Sequence, residues 1–479
     1  MGVSVRNILV AVAIVVLAAV AASSGAASSV RTYSTHGTLP LRTSVDDPFT
    51  FTGAQRATGF VKARAAGASY FRIVASWNAI APSTPPANAA DPTSPGYDWN
   101  WYDNTLESAE KAGLTPILDI ARAPAWALAK NNGKRINTPT AASLGQFAKA
   151  LALHYDGKHG APAVHVFQVW NEPNLSQDLS PVNAAAYRGM VNAVATSVHA
   201  VSRANLVVAG GLDPFGNKAK GWYSISPLAF MRSLLCLSKG PHPHRTCSST
   251  VHFDVWSHHP YTFNGPFGHA TRPDDVSLGD LPKMRTLLRA AVKLHRVVSP
   301  HPVQFWVTEF SWDTKPPRRH AAPVGLASRW TAEALYQMWR SGVSLVTWFG
   351  LEDKGGKSPY QSGLYFHATS LAHARAKPVR TAFRFPFVAY LGRGNVTVWG
   401  RDATSDKQLV TIQRRLGTHG SWRTVARIRS NGSGIFSAKL KLAASKKDWS
   451  RGIAAGSGNS LAFSLTRPSP KLRYGPWGN

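Results

Sequence analysis

Residues 164–174 read VHVFQVWNEPN, a largely apolar run of the kind that forms a buried strand, and it leads directly to Glu172. Residues 303–309, VQFWVTE, repeat the arrangement and end at Glu309. Glutamate is rare in this chain, with six in 479 residues. Because a carboxylate is costly to bury without a partner, two glutamates at the ends of apolar strands indicate a functional role.

The two runs belong to a pattern that recurs along the chain. Helical stretches end at a glycine such as Gly67, Gly113 or Gly342, and an apolar strand follows at once. After a first strand at 39–44, the predicted strands start near Tyr70, Thr115, Val164, Asn205, Val251, Val303 and Val343. The predicted helices include 54–66, 102–112 and 328–340.

Eight strand–helix units in residues 37–387 predict an α/β fold, a closed (β/α)₈ TIM barrel. The alternative is an open doubly wound sheet, but no glycine-rich phosphate fingerprint follows the first strand. From 388 to 467 the chain changes to short alternating runs, which predict a small antiparallel β-sandwich. This domain would either bind carbohydrate through aromatics such as Trp399 and Trp422 or serve as a packed spacer. Residues 468–479 are expected to form a flexible tail.

Residues 1–29 have the features of a secretory signal peptide. Arg6 precedes an uninterrupted apolar run at 8–22, which is shorter than the about 20 residues of a bilayer span, and small residues follow. An uncleaved membrane anchor is the alternative. The two cysteines, Cys236 and Cys247, fit an exported protein because an isolated pair usually forms a disulfide in an oxidising compartment.

A zinc site formed by both cysteines with His242 and His244 is the alternative to that disulfide, but the spacing matches no standard pattern. The formal charge of +30 favours binding to polyanions. Lysine and arginine are spread along the chain without a long basic run or nucleic-acid motif, so an anionic cell-wall or cell-surface polymer is the expected partner. A solvated basic surface without a partner is equally compatible.

In a TIM barrel the chemistry lies at the carboxyl ends of the strands. Glu172 follows the fourth predicted strand and Glu309 ends the seventh, so both can face one cleft. Two such carboxyl groups can break a glycosidic bond, one as proton donor and one as nucleophile or base. Helix caps or ion pairs are the alternative interpretation for each glutamate.

Residues 37–387 resemble clan A glycoside hydrolases, retaining enzymes with a (β/α)₈ barrel, most closely families 5 and 39. The sequence WNEPN at 170–174 matches the fourth-strand motif, in which the resemblance makes Glu172 the acid/base and assigns Asn171 to the sugar 2-hydroxyl. Glu309 in WVTEFSW matches the seventh-strand nucleophile. The resemblance implies a retaining glycosidase that acts on a polysaccharide or oligosaccharide and requires no metal or organic cofactor. Together with the leader at 1–29, it predicts a secreted enzyme, and we expect a monomer.

The same resemblance implies roles for further residues. Arg72 matches the arginine that supports the nucleophile, although an ion pair with Asp119 would also explain it. His259 and Tyr261 in HHPY are similar to the His-x-Tyr pair beside the nucleophile. Trp348 matches the eighth-strand tryptophan that forms the floor under the sugar. These residues could instead be satisfied packing or loop residues.

The tryptophans Trp77, Trp126 and Trp348 each offer a flat face for a pyranose ring, or could be core aromatics. Loops 82–96 and 263–279 are the expected rims of the cleft. The subsite loops leave the sugar and the endo or exo mode open. A transglycosidase and a non-catalytic carbohydrate-binding protein remain the alternative functions.

Overall fold

A computed structural model describes residues 30–466, except 159, 220, 357 and 405–406, together with Tyr474. The predicted signal peptide at 1–29 therefore lies outside the described residues, as does the predicted tail at 468–479 apart from Tyr474. Among the described residues, no helix combines the length and the apolarity needed to cross a bilayer.

Eight parallel strands close into a barrel, which confirms the predicted fold class. We label them β1 to β8 in chain order: Arg42–Asp46, Tyr70–Ser76, Thr115–Ala121, Val166–Val169, Leu206–Leu212, Val255–His258, Gln304–Phe310 and Leu345–Phe349. Each strand pairs with its neighbour in sequence, and β8 pairs with β1. The predicted starts agree within a few residues, because the apolar runs that mark buried parallel strands are continuous.

Nine α-helices lie among the described residues. They are α1 Arg56–Ala65, α2 Trp77–Ile80, α3 Asn100–Lys111, α4 Ala141–His154, α5 Ala184–Val201, α6 Pro227–Leu235, α7 Leu281–Lys293, α8 Val324–Arg340 and α9 Pro378–Arg384. Short 3₁₀ turns occupy Ala125–Ala127, Leu278–Asp280 and Leu371–His373. Gly67, Gly113 and Gly342 follow α1, α3 and α8 with positive φ of 90°, 73° and 86°, as their position after helices predicts.

The lower half of the barrel is filled by apolar side chains. These are Ile117, Val166, Val208, Val255, Trp306 and Leu345, which form a cluster separate from the main core. All six lie within the first three residues of their strands. Since this plug closes the amino-terminal end of the barrel, a site is available only where the strands end.

Two sheets follow the barrel, as the sequence predicts. The three-stranded sheet has the order β9–β10–β13, formed by Phe387–Leu391, Val396–Arg401 and Ile435–Leu440. The larger sheet contains β11 Leu409–Leu416, β12 Arg423–Arg429 and β14 Asp448–Ala454, with the short strands Gly458–Asn459 and Phe463–Ser464 beside β14. An unpredicted strand, Thr32–Ser34, pairs in parallel with β12, so residues before the barrel complete this sheet.

The three-stranded sheet packs against α8 of the barrel. Trp399 is fully buried between Tyr336 and Trp339, with ring centroids 5.2 and 5.6 Å away. The interpretation in which Trp399 is exposed and binds carbohydrate is therefore wrong, and the burial of this ring against α8 fits the alternative, a packed spacer.

Short paired strands fix the loops around the barrel. They are Leu128–Asn131 with Lys134–Pro139, Asn217–Ala219 with Trp222–Ser224, Val251–His252 with Val297–Val298, and Thr314–Lys315 with Ala322–Pro323. Cys236 and Cys247 form the predicted disulfide, with their Cα atoms 5.2 Å apart. The thiols are therefore joined to each other, which excludes the alternative zinc site.

Candidate active site

Glu172 is presented by an unusual turn after β4. Trp170 and Glu172 both adopt left-handed backbone conformations, with φ of 67° and 35°. Such conformations cost about 1–3 kcal/mol each in residues other than glycine and are concentrated at functional sites. The turn is held from β5, because the Glu172 backbone N–H donates to Gly211 O at 3.2 Å.

Gly210 is the reason that β5 can approach β6 so closely. Its φ is 101°, and a Cβ atom at this position would collide with the backbone oxygen of Ser257. The close approach brings Gly211 next to His259, on the side of the barrel where Glu172 lies. A glycine here is thus required by the geometry of the site as well as by the backbone conformation.

Glu309 projects from the end of β7 into the same cleft. Its Oε1 accepts a hydrogen bond from the Tyr261 hydroxyl at 2.8 Å, and its Oε2 lies 3.4 Å from Arg72 Nη1. The side chains of Glu172 and Glu309 are 16% and 17% exposed. Both carboxyl groups are therefore partly desolvated and still accessible from the cleft.

His259 lies between the two carboxyl groups. Its Nδ1 is 2.9 Å from Glu172 Oε1 and 4.0 Å from Glu309 Oε2, and its Nε2 is 3.2 Å from the Thr308 hydroxyl. The sum of the two Nδ1 distances, ~7 Å, is the upper limit for the separation of those oxygens. Retaining glycosidases hold their carboxyl groups ~5–5.5 Å apart and inverting ones ~6.5–9.5 Å. The limit covers the retaining range and excludes most of the inverting range.

Arg72 on β2 organises the floor of the site and is itself buried. Its partners besides Glu309 are Asp46 at 2.5 Å, Asp119 at 2.7 Å, Asn171 Oδ1 at 2.8 Å and Gln168 Oε1 at 3.3 Å. The predicted support of Glu309 and the alternative ion pair with Asp119 are thus both present. One guanidinium is shared among three carboxylates, so the floor carries an excess of acidic groups.

That excess changes the proton affinities of the site. Burial, aided by the charge of Glu309 and opposed by Arg72, raises the pKa of Asp46 to about 7, and burial raises that of Asp119 to about 6. Burial and the charges of Glu309 and Asp178 raise the pKa of Glu172 well above its ordinary value. Burial lowers the pKa of His259 to about 4, so this imidazole is neutral at neutral pH. These shifts favour the protonated form of Glu172 beside a neutral histidine.

The cleft around these groups has a volume of about 1380 Å³. Its walls are the loops that follow β4 to β8, together with Tyr474. The predicted rim at 263–279 supplies several lining residues, whereas 82–96 supplies none, which corrects that expectation. The missing wall comes instead from the Trp222–Ser224 hairpin and from Tyr360 in the loop after β8.

A search against protein families identifies the fold and chemistry together. The model of the cellulase family, glycosyl hydrolase family 5, matches residues 22–275, which is more than half of the chain. The chain belongs to glycosyl hydrolase family 5. It is therefore an O-glycosyl hydrolase with the clan A barrel, as the motifs at the strand ends predict.

Solved structures of other glycoside hydrolases share the fold of this family 5 glycosidase. A family 39 glycoside hydrolase from Bacteroides cellulosilyticus WH2 has 16% identity and a TM-score of 0.50, covering 84% of this chain and 79% of that chain. A GH39 enzyme from Xanthomonas axonopodis pv. citri has 16% identity and a TM-score of 0.50, and the match covers 88% of this chain and 96% of that chain. A monomeric beta-xylosidase from Caulobacter crescentus CB15 has 15% identity and a TM-score of 0.50, and the match covers 80% of this chain and 86% of that chain. No curated protein matches the chain.

None of the three tryptophans predicted to stack on sugars is among the residues that line the cleft of this glycosidase. Trp77 is fully buried and stacks on Phe147, with centroids 5.0 Å apart. Trp126 lies edge-on against Trp77 and donates its indole N–H to Pro82 O. Trp348 is 2% exposed and donates to Ser362 O, so it supports the loop after β8. The expectation of direct sugar contact is wrong for Trp77 and Trp348, because their rings are buried. For Trp126, which is half-buried, it stays a prediction.

Asn171 lies beside Glu172 on the floor. Its Oδ1 accepts from Arg72 and its Nδ2 donates to Asp178 Oδ1 at 3.2 Å, which fixes the orientation of the amide. Its contact with a sugar hydroxyl stays a prediction. Within the part of the chain that the structure describes, no group of three or more His, Cys, Asp and Glu side chains is arranged to hold a metal ion.

Three aspartates of the site were not identified from the sequence. Asp46 ends β1, Asp213 directly follows β5, and Asp178 lies in the loop after β4. Asp213 lines the cleft, and burial together with the charge of Glu172 raises its pKa well above the usual value. The signal that found the glutamates, an acidic residue at a strand end, would have found Asp46 and Asp213. Asp178 carries no such signal.

Proposed function

We propose that this family 5 glycosidase is a retaining enzyme in which Glu172 is the general acid/base and Glu309 the nucleophile. The observation that carries the proposal is the placement of His259 Nδ1 within 2.9 and 4.0 Å of the two carboxyl groups, which limits their separation. The environments of the two glutamates differ in the required direction. Burial and neighbouring anions favour the protonated form of Glu172, while Tyr261 and Arg72 donate to Glu309 as the anion.

In the first step, a Glu309 oxygen attacks the anomeric carbon and forms a glycosyl ester as the bond to the leaving oxygen breaks. Glu172 transfers its proton to that oxygen. Neutral His259 supports this transfer, because its Nδ1–H can donate to Oε1 and leave the proton on Oε2. The Thr308 hydroxyl is positioned to donate to His259 Nε2 and select that tautomer.

In the second step, Glu172 is ionised and removes a proton from water as the water attacks the anomeric carbon. The ester bond breaks, Glu309 leaves as a carboxylate and the configuration at the anomeric carbon is restored. Arg72 and Tyr261 stabilise the carboxylate each time that it is released. In the proposed mechanism these side chains supply the nucleophile, the acid/base and the donors to the carboxylate, and water is the second substrate.

The proposed substrate is a polysaccharide or oligosaccharide with O-glycosidic linkages. The volume of the cleft, about 1380 Å³, supports a ligand longer than one sugar. The leader at 1–29 and the Cys236–Cys247 disulfide support secretion. A transglycosidase would use the same covalent intermediate with a sugar acceptor, and product analysis with added acceptor separates it from a hydrolase.

Replacement of each glutamate by alanine, followed by azide rescue, tests the assignment of roles. With an activated aryl glycoside, we expect azide to restore turnover in both variants. The glycosyl azide should have retained configuration for Glu172→Ala and inverted configuration for Glu309→Ala. A reversed pattern would exchange the two roles, and the absence of rescue in both variants would contradict the mechanism.

Glu352→Gln is the matched control. This glutamate also follows a barrel strand, but its Oε1 accepts from the Ala368 backbone N–H at 3.0 Å and it does not line the cleft. We expect its kcat to stay within ~3-fold of the wild type. A 2-fluoro-glycoside of the substrate sugar should label Glu309 in the wild type and leave Glu352 unmodified. Labelling would also exclude a protein that only binds carbohydrate.

A further inference from the structure

The larger of the two carboxyl-terminal sheets has one face that packs inward and one that does not. Val410, Ile412 and Ile428 point inward and are fully buried. The residues that alternate with them form what we call the outer face. It carries four arginines, Arg415 on β11, Arg427 and Arg429 on β12, and Arg451 on β14.

Within the described part of the chain, the arginines of the outer face have no acidic partners. Residues 388–466 contain 13 lysines and arginines, three aspartates and no glutamate. Asp402 and Asp448 are fully buried, and Asp406 lies outside the described residues. Among the residues that the structure describes, none of the four arginines forms a salt bridge, whereas Arg414, which points inward, binds Asp448 at 2.8 Å.

Two tryptophans contact two of the four arginines and form an Arg–Trp cluster with them. The Arg415 guanidinium lies 4.7 Å from the Trp422 ring centre and 5.8 Å from that of Trp449. Arg451 lies 4.4 Å from the same Trp422 ring and also donates through Nε and Nη2 to Gln413 Oε1. Two like charges thus flank one indole, an arrangement that an external anion would stabilise. Burial and, to a smaller extent, the charge of Arg415 lower the pKa of Arg451.

The geometry of the sheet spreads the four arginines over an extended surface. Residues two apart on one strand are about 7 Å apart, and neighbouring strands are about 4.8 Å apart. Arg427 and Arg429 are exposed and continue the positive surface beyond the Arg–Trp cluster. A linear polymer with regularly spaced anions could therefore contact several guanidinium groups at once. Phosphate suits this surface well, because a guanidinium can donate two parallel N–H groups to two of its oxygens.

We propose that the outer face binds a phosphodiester-linked polymer of the cell envelope and holds the secreted glycosidase beside its substrate. The charge complementarity between four unpaired arginines and a polyphosphodiester carries the proposal. The choice of an envelope polymer, and not nucleic acid or a lipid surface, rests on the export proposed above. The binding itself does not depend on the assignment of Glu172 and Glu309.

The test compares two full-length variants that lose the same charge. The first replaces Arg415, Arg427, Arg429 and Arg451 by glutamine. The control replaces four exposed basic residues of the barrel by glutamine: Lys130, Lys149, Arg289 and Lys293. Affinity for poly(glycerol phosphate) is measured by calorimetry from 0.05 to 0.3 M salt. Double-stranded DNA and phosphatidylglycerol vesicles are the competing probes.

We expect the outer-face variant to bind poly(glycerol phosphate) at least ~10-fold more weakly at 0.15 M salt, with a smaller salt dependence. The control should stay within ~3-fold of the wild type. Both variants should hydrolyse a soluble aryl glycoside at the wild-type rate, which separates this proposal from the catalytic one. If the first variant fails to fold, the Arg427→Gln/Arg429→Gln double variant should still lose at least ~3-fold.

Three results would overturn the proposal. An equal loss in the barrel control would mean that overall charge alone attracts the polymer. Tighter binding of DNA or vesicles, with the same dependence on the four arginines, would assign the face to another class of partner. No measurable binding of the wild type at 0.15 M salt would remove the function altogether.

Discussion

Arginine has opposite surroundings in the two parts of this molecule. In the barrel, Arg72 is buried and contacts Asp46, Asp119 and Glu309. On the outer face, Arg415 and Arg451 contact tryptophan rings and no carboxylate among the described residues. Arginine therefore pairs with carboxylates of the protein itself in the barrel, whereas on the outer face it is available to an anion from outside.

The difference has an energetic consequence. A buried carboxylate whose cation is removed loses its compensation in a medium of low dielectric, so the loss of Arg72 leaves several unpaired charges. Removal of a cation that faces water costs the protein little stability, and it also relieves repulsion between the neighbouring cations. In the site, the positive charge of Arg72 and the carboxylates stabilise one another, while the arginines of the outer face repel one another.

The largest effect is expected for Arg72→Met, which removes the charge and keeps most of the side-chain volume. We expect a loss of about 3–5 kcal/mol in the free energy of unfolding and a severe loss of activity. Urea denaturation measures the stability. Lys111→Met is the control, because Lys111 pairs with Glu107 at 3.5 Å with both side chains exposed, and its loss should cost only ~0–1 kcal/mol. Equal effects of the two changes would contradict the comparison.

Tyr261→Phe removes one hydrogen bond to Glu309, the proposed nucleophile. Hydrogen bonds to charged groups contribute about 1.5–3 kcal/mol, so kcat should fall ~10- to 150-fold with little change in KM. Tyr155→Phe is the matched control, since its hydroxyl also donates to a carboxylate, Asp103 at 2.9 Å, but away from the cleft. That variant should lose stability and keep its kcat. An unchanged kcat in Tyr261→Phe would show that Glu309 does not need this donor.

The charge of Asp178 should be visible in the pH dependence. Together with burial and the charge of Glu309, it raises the pKa of Glu172. In the proposed mechanism Glu172 must be protonated for the first step, so activity is lost as pH rises through that pKa. Asp178→Asn keeps the acceptor for Asn171 and removes the charge, which lowers the pKa of Glu172. The alkaline limb of kcat/KM should therefore move to lower pH. An alkaline limb that stays in place or moves to higher pH would contradict the assignment of Glu172 as the acid. Asp98→Asn, at an exposed position, is the control and should leave the limb unchanged.

The smallest effect is expected on the outer face, where two adjacent residues make a direct comparison. Arg414 points inward and binds buried Asp448, while Arg415 points outward. Arg415→Gln should change the free energy of unfolding by no more than ~0.5 kcal/mol, in either direction. Arg414→Gln should cost about 1–3 kcal/mol because it leaves Asp448 without its charged donor. Thermal unfolding of the two single variants distinguishes these outcomes, and equal losses would mean that Arg415 has an internal role.

The two glutamates of the cleft could be identified from the sequence because two local signals coincide there. A buried parallel strand is a continuous apolar run, and a barrel places every such run with its carboxyl end at one mouth. Glu172 and Glu309 are polar exceptions directly at those ends. His259 and Tyr261 follow from the resemblance, and the structure places both in contact with the glutamates.

The tryptophans show where sequence reasoning stops. An aromatic residue near a strand end has the same local sequence whether its ring faces a ligand or the core, and Trp77 and Trp348 turned out to be buried. The strand Thr32–Ser34 was also missed, because its partner β12 lies almost 400 residues later in the chain. Asp178 was missed because it reaches the site through a loop.

The sequence by itself determined the order of strands and helices, the barrel and the identity of its two glutamates, since each depends on residues that are close neighbours in the chain. Only the tertiary structure decided which carboxyl groups share Arg72, which aromatic rings are exposed, and which arginines lack a partner. Those properties depend on distances between residues that are far apart in sequence. Burial and charge pairing depend on those distances, and so do the proton affinities of the site.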